Sequence, residues 1–252
     1  LGLDVDGYIK IPRGLLENVA GECRKSGIAY DISDQREKGR PIRVVFEGEL
    51  RVQQELAAQR LLTFDNGILS AATALVCSYL IAERKVNTLI LLESTDLIAQ
   101  WEEELGRFLE IDEAPVEYRT KTGRVKKRTS VIGTLKAGKD TMTGIVDIAM
   151  IGAFHEKLNS YGMVIMDECH HAASATAQEI LKRVNAKYVY GVSATPMRSD
   201  NLEKINYMLL GPVRHSYTAM ERSADQGIDH LVIPRYTRVI NNNENKDDIN
   251  AA

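Results

Sequence analysis

The sequence predicts an α/β fold built on a parallel sheet with helices on both faces. Three observations predict it. Short, continuous apolar runs such as 88–92 read as strands buried on both sides. From Leu50 onward they alternate with amphipathic helical stretches. Acidic and small polar residues follow the apolar runs directly, where the ligands of parallel sheets bind.

Residues 1–46 read as a small N-terminal α/β accessory domain. Tyr8-Ile9-Lys10-Ile11 alternates like a strand, and Pro12-Arg13-Gly14 turns it. Leu15, Leu16, Val19, Ala20 and Cys23 then recur at helical spacing as far as Ser26-Gly27. Two further strands are expected at 28–32 and 42–46, with a polar stretch at 33–40 between them. The main domain is expected over 47–235, with helices at 53–62, 76–83, 97–109, 175–184 and 201–210. Its strands are expected at 67–70, 88–92, 145–151, 162–166 and 188–192, with a strand-like run at 230–239. Trp101, Leu105 and Leu109 share one face of their helix. Residues 236–252, with the polar run 241–248, read as a disordered tail or linker.

Apolar residues at 44% and charged residues at 27% are ordinary for a globular protein. A net charge of -3 excludes a uniformly basic coat, though not a local basic groove. Cys23, Cys77 and Cys169 are too far apart for a disulfide framework or a C-x-x-C zinc site, so a reducing cytoplasm is expected. No stretch approaches the roughly 20 apolar residues of a membrane span, and no membrane partner is expected. A chain that starts at Leu1 reads as a piece of a longer protein.

Asp167 and Glu168 directly follow the apolar run Met163-Val164-Ile165-Met166. Adjacent carboxylates at the end of a buried strand repel unless a cation lies near them. A hard divalent ion already bound to phosphates meets that need, with Asp167 holding Mg²⁺ through its water shell and Glu168 orienting the attacking water. The alternative is a pair that only caps the following helix. A zinc site on Cys169, His170 and His171 is disfavoured, since consecutive residues rarely offer three ligands to one metal.

Asp167-Glu168-Cys169-His170 resembles motif II of the DExH superfamily 2 helicases, and Tyr190-Gly191-Val192-Ser193-Ala194-Thr195-Pro196 resembles their motif III. The two occur in the family's order. The resemblance extends to the restriction subunits of type III restriction enzymes and to xeroderma-group repair helicases. It implies a RecA-like first motor domain, with ATP and Mg²⁺ as cofactors. The catalytic group would be Asp167, Glu168 and His170, with Ser193, Ala194 and Thr195 coupling hydrolysis to movement. Leu50-Arg51-Val52-Gln53-Gln54 resembles the element that reads adenine, which points to Gln54. Residues 91–101 resemble motif Ia, which offers Ser94 and Thr95 to a nucleic-acid phosphate; the alternative is that they cap the helix. Residues 147–152 occupy the place of motif Ib.

One part of the pattern departs from the family. Ala71-Ala72-Thr73 resembles the opening of the phosphate loop, but Ala74-Leu75-Val76-Cys77 follows at once, without Gly-x-Gly-Lys-Thr. Either about five loop residues belong between Thr73 and Ala74, or the protein has lost the loop and binds ATP poorly. The first reading is favoured, because the strand needs a connection to the helix and motif II has little use beside a dead phosphate site.

Arg119, Lys121, Arg124, Lys126, Lys127 and Arg128 suggest a basic hairpin turning at Gly123, suited to sequence-independent phosphate contacts; the alternative is a solvated loop. Lys136 and Lys139 extend the basic surface. The function expected is an ATP-dependent helicase or translocase, acting on DNA rather than RNA and completed by a second RecA-like domain. Alone, this chain is expected to hydrolyse ATP poorly. The alternative is a non-catalytic nucleic-acid-binding module of the same fold.

Overall fold

Parallel strands made from the apolar runs occupy the centre of the molecule, seen in a computed structural model. It describes residues 3–5, 8–70, 74–120, 123–136, 138–153, 160–193 and 203–216, all within one compact unit spanning 1–218. The chain opens with β1 (Leu3–Val5), β2 (Tyr8–Lys10), α1 (Leu16–Lys25) and β3 (Val44–Phe46). Then come α2 (Val52–Leu62), β4 (Asn66–Ser70), α3 (Ala74–Arg84), β5 (Thr88–Leu92) and α4 (Asp96–Phe108). Short strands follow: β6 (Leu109–Ile111), β7 (Glu117–Arg119), β8 (Val125–Lys127), β9 (Ile132–Lys136), β10 (Lys139–Asp140) and β11 (Val146–Met150). The last are β12 (Met163–Met166), α5 (Ala175–Arg183), β13 (Tyr188–Ser193), α6 (Glu203–Leu210) and β14 (Val213–Ser216).

Among the described residues one eight-stranded sheet has the order β10-β9-β11-β5-β12-β13-β4-β14. Only the β10–β9 pair is antiparallel. The chain passes from β4 across to β5 and outward, then returns to place β12 and β13 in the gap. Alternate residues of each strand enter opposite cores. Ile90 and Leu92 of β5 pack with Val76, Leu80, Ile98, Trp101 and Leu105 on one face. Leu89 and Leu91 pack with Ala177, Ile180, Leu181 and Leu209 on the other. At about 1.5–3 kcal/mol per buried aliphatic side chain, the two layers hold the strand ends in fixed register.

The N-terminal segment lies against this sheet. Ile42 and Val44 belong to the core that contains α3 and α4, and β3 pairs antiparallel with β6. Buried Asn87 fastens the strap: its Oδ1 accepts from Arg40 N at 2.8 Å and Gly162 N at 3.1 Å. Its Nδ2 donates to Gly144 O at 3.2 Å and Ser160 O at 2.8 Å, so all four amide positions are used.

Two local expectations need correction. The strand expected at 28–32 does not form: its backbone finds no ladder among the described residues, Ile28, Tyr30 and Ile32 are exposed, and Ile32 N donates to the Asp31 carboxylate. The final strand, β14, was not anticipated; Gly211, at φ +100°, turns the chain so that β14 adds to the β4 edge. The strand-like run at 230–239 and the tail lie outside the described residues.

Candidate nucleotide site and nucleic-acid interface

Because β9, β11, β5, β12, β13 and β4 are parallel, their carboxyl ends share one edge of the sheet. Read across that edge, β9 delivers Lys136, β11 leads to Gly152, and β5 leads to Glu93, Ser94 and Thr95. Beside it β12 delivers Asp167 and Glu168, β13 delivers Ser193, and β4 leads to residues 71–73. Lys136, Glu93 and the Ser94 and Thr95 hydroxyls thus lie on one half of the edge, and Asp167, Glu168 and Ser193 on the other.

Asp167 continues the ladder, its N–H donating to Leu91 O at 3.0 Å. Its Oδ1 accepts from Glu168 N at 2.9 Å, and its Oδ2 accepts from the Trp101 indole N–H at 2.8 Å. Burial pushes the Asp167 carboxyl above the ordinary range; the Trp101 and Glu168 donors oppose that shift, while the Glu168 charge adds to it. A half-buried carboxylate held by two N–H donors suits a magnesium ion that keeps most of its water shell. Among the described residues, no group of three or more His, Cys, Asp and Glu side chains could hold a metal directly.

Glu168 adopts the left-handed conformation at φ +47°. It makes no side-chain cap to the turn Cys169–His171. Its Oε2 instead accepts from Ser193 Oγ at 3.1 Å and lies 3.2 Å from His170 Nδ1. His170 Nδ1 is also 3.3 Å from Ser193 Oγ. With the Ser193 proton directed at Glu168, Nδ1 is left to donate. Three residues from the ends of two neighbouring strands therefore form one polar junction. Underneath, Cys169 is buried and its thiol pushed up to about 12 by desolvation and the two carboxylates.

Other expected residues divide. Gln54 accepts through Oε1 from Arg51 N at 3.0 Å, so its side chain is turned back on the N-terminus of α2. Ala71, Ala72, Thr73, Lys121, Ala194 and Thr195 lie outside the described residues. The chain has only residues 71–73 between β4 and α3, and connections of 2–6 residues are ordinary between a strand and its helix.

On the half with Lys136, Ser94 Oγ accepts from Asp96 N at 3.2 Å and opens α4, whereas Thr95 makes no side-chain cap. Thr95 lines a cleft of about 530 Å³ with Lys136, Gly138, Lys139, Asp140 and Gly152. The basic run forms a hairpin, β7 and β8, turning at Gly123 with φ +79°. Glu117 lies 3.7 Å from Lys127, and the Arg128 guanidinium stacks 4.2 Å from the Tyr118 ring centroid. Arg119, Arg124 and Lys126 are exposed. Sequence reasoning missed Trp101 as a site residue; the only signal was a buried indole, whose N–H must find an acceptor.

Residues 69–198 match the family described as Type III restriction enzyme, res subunit, which is just over half of the chain. The chain belongs to that family. It is thereby a superfamily 2 helicase chain, of a family that uses ATP. The DNA 3'-5' translocase XPB2 of Sulfurisphaera tokodaii is 27% identical over 205 residues, covering 79% of this chain and 42% of the relative. A putative DNA 3'-5' helicase Rad25 of Halobacterium salinarum is 26% identical over 200 residues, covering 76% and 31%. The chain therefore spans less than half the length of these relatives. The UvsW helicase of bacteriophage T4 superposes with a TM-score of 0.53 at 17% identity, covering 83% of each chain, which shows the RecA-like fold.

Proposed function

We propose that this chain is the first motor domain of an ATP-dependent DNA helicase or translocase. The observation that carries the reading is the junction of Glu168, His170 and Ser193 beside the held carboxylate of Asp167. Magnesium bound with ATP would supply charge neutralisation at the phosphates. Asp167 would hold that ion through its water shell, and Glu168 would orient and polarise the attacking water. Ser193 and His170 both touch the Glu168 carboxylate, so a shift of the segment after β13 reaches the catalytic base within one hydrogen bond. Gln54 reads the base and residues 71–73 open the phosphate site.

Nucleic acid runs along the other half of the edge. Thr95, Lys136 and Lys139 supply phosphate partners in the cleft, and Arg119, Arg124, Lys126 and the remaining hairpin cations add contacts without sequence preference. The names of the Sulfurisphaera and Halobacterium relatives favour DNA. A second RecA-like domain completes the ATP cleft in the intact protein, so turnover by this segment alone is low. Residues 1–46 form an accessory element, with the motor over 47–235 and a linker from 236. The free thiols of Cys23, Cys77 and Cys169 fit a reducing cytoplasm. Among the described residues no helix is long and apolar enough to cross a membrane.

Glu168→Gln in the full-length protein should abolish DNA-stimulated ATP hydrolysis and spare ATP binding; unchanged turnover refutes the role of Glu168. A second reading, a binding module without a phosphate loop, is favoured by the three-residue link between β4 and α3. Intact mass separates the two: about five extra residues at Thr73-Ala74, among them Gly-Lys-Thr, support the motor. An unbroken Thr73-Ala74 bond supports the module.

A further inference from the structure

Trp101 is the chain's single tryptophan and is almost fully buried, yet its indole N–H is spent on a carboxylate oxygen. That oxygen is the one on Asp167 not taken by the backbone of Glu168. The indole stands on α4, a 13-residue helix fixed to the core by Ile98 and Leu105. Six residues before it, about 9 Å along the axis at 1.5 Å per residue, Thr95 lines the cleft with Lys136 and Lys139. One rigid element therefore touches the cleft at its start and Asp167 in its second turn.

We propose that Trp101 is a positioning residue that aims Asp167 and ties it to the nucleic-acid cleft through α4. The inference rests on the nucleotide and nucleic-acid sites proposed above. A phosphate drawn against the first turn of α4 pulls on the helix as a body, and the indole transmits that displacement to Oδ2. The reverse holds too, because coupling between two binding sites is reciprocal. A merely packed indole would need only some acceptor, and its loss would leave the ion dependence of nucleotide binding unchanged.

The test uses the full-length protein and mant-ATP titrated at several Mg²⁺ concentrations, with and without duplex DNA. Trp101→Phe keeps an aromatic body and removes the N–H. The expected result is a rise of about tenfold in the Mg²⁺ half-saturation, as for other groups that orient a metal-binding carboxylate. Mant-ATP binding without Mg²⁺ should not change, and DNA should no longer shift the half-saturation. An unchanged Mg²⁺ dependence in a folded Trp101→Phe overturns the inference and leaves the proposed function standing. A wild-type protein that binds no mant-ATP overturns both. If Trp101→Phe fails to fold, the indole N–H NMR signals of the full-length protein decide: Asp167→Ala should move one of them, and identical spectra would overturn the contact.

Discussion

Glu168 is held in a backbone conformation that costs a non-glycine residue about 1–2 kcal/mol. The strain is offset locally, because the turn aims its carboxylate at Ser193 and His170. Gly191 makes the same turn sensitive from below. A Cβ there would come within 2.7 Å of Leu210 Cδ1 and 2.9 Å of Cys169 Cβ. Gly191→Ala should cost about 1–3 kcal/mol in urea unfolding and reduce ATP turnover further, by displacing the residue between Glu168 and His170; wild-type stability and turnover would contradict this packing. The thiols give a second check. Cys77 and Cys169 are buried and desolvation raises both, whereas Cys23 is partly exposed. Iodoacetamide should label Cys23 in the native protein and the other two only after unfolding, read by peptide mass. Asp167 and Glu168 were legible in the sequence because an apolar run ended on them. Trp101 was not: periodicity records which face a residue occupies, never what its polar atom meets across the core.

At the scale of elements, the basic hairpin separates into two kinds of cation. Lys127 has Glu117 for company and Arg128 lies on Tyr118, while Arg119, Arg124 and Lys126 face solvent. Alanine at each of the three exposed positions should reduce the slope of log affinity against log salt by about 0.9 on duplex DNA. Arg128→Ala should instead loosen the hairpin, seen as faster amide exchange at Tyr118. An unchanged slope in the triple variant would remove the hairpin from the interface. The hairpin was legible because its charges flank a glycine that takes φ +79°. β14 was not, since its pairing depends on the distant edge of β4. The run at 28–32 misled for the converse reason: an alternating pattern states only that a strand could form, and among the described residues it pairs with no other strand.

For the whole molecule, the parallel sheet does the sorting. Placing β12 and β13 between β5 and β4 puts Asp167 and Glu168 one strand from Ser94 and Thr95. Under the proposed function, hydrolysis and strand contact are then coupled through a single helix and a single serine. The sheet and its helices were legible in the sequence because a strand buried on both faces must be apolar throughout. The link between β4 and α3 was less so: a missing phosphate loop leaves helix and strand intact, and 71–73 lie outside the described residues. The most direct test of the account is steady-state ATP hydrolysis by the full-length protein as duplex DNA is titrated in. Turnover should rise with DNA and vanish with Glu168→Gln. Hydrolysis that is absent, or present but indifferent to DNA, would contradict the assignment of this chain as a DNA motor.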